Sequence, residues 1–162
     1  MIQSFREFLY EMTIPNMTES HQYKETRHDY IGGKQYDIEH SAEVSPDHTL
    51  VIRHSITKTK KGNHLETDFG FRDPRFKDYM TMNKDQLHAP LSSKQGIDVM
   101  STVSRSVQDV IQKHGITKAS FYANTDRKDQ TYSRFAQRLA RKLGGKHTTR
   151  DDTQHVSIPK NK

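Results

Sequence analysis

Three closely spaced stretches of alternating apolar and polar residues constrain this chain most. Tyr36, Ile38, His40, Ala42 and Val44 alternate with Asp37, Glu39, Ser41 and Glu43. Leu50, Ile52, His54 and Ile56 alternate with Val51, Arg53, Ser55 and Thr57. Leu65, Thr67, Phe69 and Phe71 share one face of the third stretch. A period of two sends successive side chains to opposite faces, which is the pattern of a half-buried strand. Ser45-Pro46-Asp47-His48 and Lys60-Lys61-Gly62-Asn63 read as the turns between them, with Pro46 at the favoured second position. Strands joined this tightly imply an antiparallel meander.

The period changes after residue 96. Ile97, Val99, Met100, Val103, Val107, Val110 and Ile111 form a helical stripe, and Gly115 is placed to end it as a left-handed cap. Residues 116–123 read as a strand. Asn124-Thr125-Asp126 offers capping side chains for a second helix, which packs through Tyr132, Phe135, Ala136, Leu139, Ala140 and Leu143 and stops at Gly144-Gly145. His155-Val156-Ser157-Ile158 reads as a last short strand. Residues 72–96 are a long mixed connection, in which Tyr79, Met80 and Met82 are candidates for a helical turn. The expected class is α+β, an antiparallel meander followed by helix, strand, helix and strand. The expected organisation is a leader at 1–11, a linker and lead-in at 12–34, a domain at 35–158 and a tail at 159–162.

Composition narrows the chemistry. Hydrophobic residues are 31% of 162, below the roughly 45–50% of ordinary domains, so the core is lean. No apolar run approaches the ~18 residues of a membrane span, and no membrane partner is expected. The absence of Cys excludes disulfides, thiolate nucleophiles and Cys-based metal sites, and fits a reducing compartment. The ten His contain no His-x-x-x-His pair and no His-Glu-x-x-His motif, so no metal is expected. His40 and His54 could approach across the hairpin, as partly buried polar or surface residues. The net charge of +6 favours an acidic partner, most simply nucleic acid, although charge also serves solubility.

The first residues form their own pattern. Ile2, Phe5, Phe8 and Leu9 recur at helical spacing, Ser4 with Glu7 fits a capping box, and Pro15 stops the run. The start lacks the basic region, apolar stretch and small-residue cleavage site of a secretory signal. Met-x-x-x-Phe-x-x-Phe-Leu-x-Glu resembles the capsid-targeting peptide of internal head proteins of large contractile-tailed phages, with one extra residue before the first aromatic. That resemblance implies docking of Phe5, Phe8 and Leu9 on the prohead scaffold core, and cleavage after Glu11 in Leu9-Tyr10-Glu11 by the prohead protease. The alternative is a first helix packed on the domain. Removing residues 1–11 takes away Arg6, Glu7 and Glu11 and leaves 25 basic and 18 acidic residues, a net +7. A basic protein beside DNA gains from phosphate contacts and counterion release.

The order of elements over roughly 36–158 resembles the later part of the GNAT acyltransferase fold, and Asn124, Thr131-Tyr132 and Leu143-Gly144 resemble a segment before that family's final strand. The resemblance implies acetyl-CoA as cofactor and Tyr132 as a general acid. It departs from the family at Ser92-Ser93-Lys94-Gln95-Gly96-Ile97-Asp98, which has one Gly where a pyrophosphate loop has paired small residues. Asp98 also stands where phosphates need donors. Lys94 and Gly96 remain candidates for an anion, and Tyr132 reads equally as a core aromatic.

Arg127, Arg134, Arg138 and Arg141 are spaced +7, +4 and +3, so they share one stripe of the second helix, with Lys142 beside it. Guanidinium forks suit phosphate oxygens. The alternative is a solvated helix face. The expected function is an internal virion protein packaged with DNA in the phage head, without a cofactor. The alternatives are a GNAT-type N-acyltransferase and a cytoplasmic phage protein that binds a host protein.

Overall fold

The computed structural model describes residues 22–46, 48–72, 80–81, 93–122 and 126–160. Among them are eight strands and two helices: β1 (Lys24–Asp29), β2 (Gln35–Ser45), β3 (His48–Thr59), β4 (Gly62–Arg72), β5 (Met80–Thr81), α1 (Ser93–Lys113), β6 (Ile116–Tyr122), α2 (Asp126–Leu143), β7 (Lys146–Arg150) and β8 (Thr153–Ser157). The chain is therefore α+β. The sheet runs β1-β2-β3-β4-β6-β8-β7, and β5 pairs with β4 off this path. Neighbouring strands joined by two-residue links, as β2–β3 and β3–β4 are, can only be antiparallel. α1 carries the chain from β4 to β6, which pair in parallel through Leu65↔Ala119 and Glu66↔Ser120. β8 pairs antiparallel with both β6 and β7.

The alternation of β2 and β3 holds over most of their length, except that Val51 is buried between Leu50 and Ile52 and Val44 is only half-buried. Tyr36, Ile38, His40 and Ala42 are buried on β2, as are Leu50, Ile52, His54 and Ile56 on β3. α1 and α2 occupy the two helical stripes. Gly144 ends α2 with φ +67°, its N–H donating to Arg141 O while Gly145 N–H donates to Ala140 O. These are the two bonds of a Schellman cap, which needs a left-handed residue at that point.

Three elements differ from the sequence reading. Residues 24–29, inside the expected lead-in, form β1. All six side chains of β1 are exposed, so no apolar alternation announces it; backbone pairing at the sheet edge makes it a strand. Met80, expected in a helical turn, lies in β5, where Phe71↔Thr81 and Arg72↔Met80 pair antiparallel. The last segment is the hairpin β7–β8 rather than a single strand. β7 carries polar and basic residues (Lys146-His147-Thr148-Thr149-Arg150) that leave no hydrophobic signal. The leader 1–11, Tyr79, Met82 and Asn124-Thr125 lie outside the described residues.

The chain divides into two compact units. The first takes the described residues within Met1–Arg27, Glu39–Arg53 and Phe69–Val107. In it Val99, Met100, Val103 and Val107 of α1 are buried, as are Ala42, Leu50 and Ile52. The second takes His28–Ile38, His54–Asp68 and Gln108–Lys162. Its core includes Leu65, Ala119, Phe121, Phe135, Leu139 and Val156, with α2 packed across β6, β8 and β7.

Candidate anion-binding face

α2 buries one side and charges the other. Tyr132, Phe135, Ala136, Leu139 and Ala140 are buried at spacings of three and four. Phe121 of β6 meets Phe135 edge-on at 5.2 Å and Tyr132 at 6.3 Å between ring centroids. Arg134 and Arg138 are half-buried, and Arg141 and Lys142 exposed. The side chain of Arg127 lies outside the described residues.

Arg134, Arg138 and Arg141 act on one another electrically. Burial, and then the Arg134 and Arg141 guanidinium groups, hold Arg138 below its ordinary pKa. Like charges three and four residues apart on a helix repel. The Nη1 atom of Arg138 is buried with no hydrogen-bond partner, and a donor left so costs about 1–3 kcal/mol. An anion reaching the three guanidinium groups would relieve the repulsion. Arg138 is less outward than the stripe alone suggests, because the helix seats it beside the packed face.

Tyr132 belongs to the aromatic cluster. It is only 4% exposed, and burial, with the Asp68 carboxylate adding to it, raises its phenol well above the ordinary value. α1 begins at Ser93, so Lys94 and Gly96 lie in its first turn, with Lys94 exposed. The first turn carries no acidic residue; Asp98 follows it, and its backbone carbonyl accepts from Thr102 Oγ1 at 2.7 Å. Phe5, Phe8, Leu9 and Glu11 lie outside the described residues.

The buried histidines are each satisfied separately. His40 shares hydrogen bonds with Ser106 Oγ at 2.6 Å and Glu25 Oε1 at 2.7 Å, and stacks on Tyr23 at 4.1 Å. His54 is bonded to Thr67 Oγ1 at 2.8 Å. Both rings are fully buried, where partly buried or surface positions were expected. Among the described residues no group of three or more His, Asp or Glu is arranged to hold a metal ion. No helix among them is long and apolar enough to cross a membrane.

A constellation that sequence reasoning missed lies in the second unit. Ser120 Oγ is 2.8 Å from His64 Nε2 and 2.8 Å from His155 Nδ1. Burial first, and then Lys118, lower the pKa of both imidazoles. The only signal in the sequence was that each residue falls within a strand. No protein-family model matches the chain, and no curated protein matches it.

Proposed function

We propose that this chain is an internal virion protein of a contractile-tailed phage, brought into the prohead by its first eleven residues, cut after Glu11 and packaged against DNA. The observation that carries the reading is the leader, in which Phe5, Phe8 and Leu9 at helical spacing run into Leu9-Tyr10-Glu11. The arginine face of α2 supports the packaging half. Arg134, Arg138 and Arg141 concentrate positive charge and keep an unpartnered donor at Arg138. Binding there is to phosphate, is independent of sequence and weakens with salt. The partners are the scaffold core, the prohead protease and DNA, and the final location is the head interior. Mass spectrometry of purified particles tests the reading. A terminal peptide beginning at Met12 is expected; an intact Met1, or absence from particles, overturns it.

A second reading, a GNAT-type N-acyltransferase, is favoured by the order meander, helix, strand, helix, then closing strands. It would place acetyl-CoA near Lys94 and Gly96 and a proton donor at Tyr132. Calorimetric titration with coenzyme A separates the two, since the virion reading expects no heat of binding.

A further inference from the structure

The strands of the second unit have two unlike faces, and the pairing registers say which side chains share each. Lys118 pairs with Ser157, Ser120 with His155 and Tyr122 with Thr153. Lys146, Thr148 and Arg150 stand beside those same β8 residues. On β4, His64 is in register with Lys118. Residues in register point the same way, and neighbours along a strand point opposite ways. One face therefore carries Ala119, Phe121 and Val156, all buried. The other carries Lys118, Tyr122, Lys146 and Arg150, all exposed.

On this outer face flat rings and cations lie together. Tyr122 is 65% exposed. A lone exposed aromatic is ordinary; its company is not. The imidazoles of His64 and His155 are tied to Ser120, which holds their planes, and their lowered pKa values keep them neutral near pH 7. Lys118 and Lys146 have no acidic partner among the described residues. Arg150 has an exposed pair with its neighbour Asp151 at 3.9 Å, and such a pair is worth little. On β4, Glu66 is exposed and in register with Ser120. It repels phosphate, so an anionic strand is confined to β6, β8 and β7.

We propose that this face binds single-stranded nucleic acid, with bases stacked on Tyr122 and His155 and phosphates on Lys118, Lys146 and Arg150. Diagonal neighbours on adjacent strands stand about 7–8 Å apart, roughly twice the ~3.4 Å rise of stacked bases in a duplex. The spacing suits a splayed strand whose bases are taken one by one, as open sheets with aromatic side chains do. The surface is separate from the arginine face of α2 and does not depend on the virion reading.

The test is fluorescence anisotropy of the full chain with a fluorescein-labelled oligothymidine of about twelve nucleotides. Saturable, salt-sensitive binding is expected, with unlabelled duplex of equal length the weaker competitor. Tyr122→Ala weakens binding about tenfold or more, whereas Tyr122→Phe stays within about twofold. Lys118→Gln with Lys146→Gln weakens it and flattens the salt dependence. All these side chains are exposed, and a circular dichroism melt of each variant verifies the fold. The proposal is overturned by no binding at low salt, by wild-type affinity in Tyr122→Ala, or by equal competition from duplex.

Discussion

His40 and His155 each share a hydrogen bond with a serine hydroxyl, at 2.6 Å to Ser106 and 2.8 Å to Ser120. The two networks nevertheless have opposite uses. In the first unit His40 and Ser106 are sealed from solvent, at 1% and 0% exposure. Glu25 takes the second ring nitrogen, Tyr23 stacks on the ring, and Arg105 lies 5.1 Å over Tyr23. Glu25, His40 and Ser106 resemble a nucleophilic triad in composition, but no substrate can reach a hydroxyl so enclosed. Their work is to tie the exposed strand β1 to the core. In the second unit His64 and His155 stand half-open around Ser120, on a face bordered by exposed Lys118 and Tyr122. The same residue types are fastener in one place and platform in the other, and burial decides which.

Breaking the enclosed network should cost most. His40→Ala removes a buried ring and leaves Ser106 and Glu25 without their partner; a loss of about 3 kcal/mol is expected in urea unfolding. Ser106→Ala removes the bond to His40 Nδ1 and should cost about 1–2 kcal/mol. If His40→Ala unfolds like the wild type, β1 is not held by this contact. Arg138→Met exchanges a half-buried charge for a thioether of similar length. It should change stability by no more than about 1 kcal/mol while weakening duplex DNA binding severalfold in a filter assay. His155→Ala, at a half-buried ring on the open face, should cost less, about 0.5–1 kcal/mol.

The pH response sharpens the contrast. His64 and His155 have folded pKa values below the ordinary 6.5, so the unfolded chain binds more protons as the pH falls through 6.5. Their contribution to stability is whole above 6.5 and is lost as the pH falls from there to the folded values. The melting temperature should drop across that window, and the His64→Gln, His155→Gln double variant should flatten the drop. An unchanged slope would place the responsible groups elsewhere.

Much of the fold is legible because it rests on local period. The alternations at 36–44 and 50–56, and the stripes at 99–111 and 132–140, each report the face that packing later buries. The arginine stripe was legible for the same reason. β1 and β7 were not, because edge strands carry exposed side chains and are defined by backbone pairing alone. Met80 gives no sign of β5, because two residues have no period to show. The His64–Ser120–His155 network was not legible either, since its bonds join residues 56 and 35 positions apart.

By itself, the sequence determined the strands and helices with a buried side, the glycine stops, the excess of positive charge and the stripe that concentrates it, since each depends on neighbours within a few residues. Tertiary structure alone decided that β6 lies between β4 and β8, and thereby that a serine meets two histidines beside Lys118 and Tyr122. Strand order is chosen by backbone hydrogen bonds between distant segments, and no local pattern of side chains encodes it.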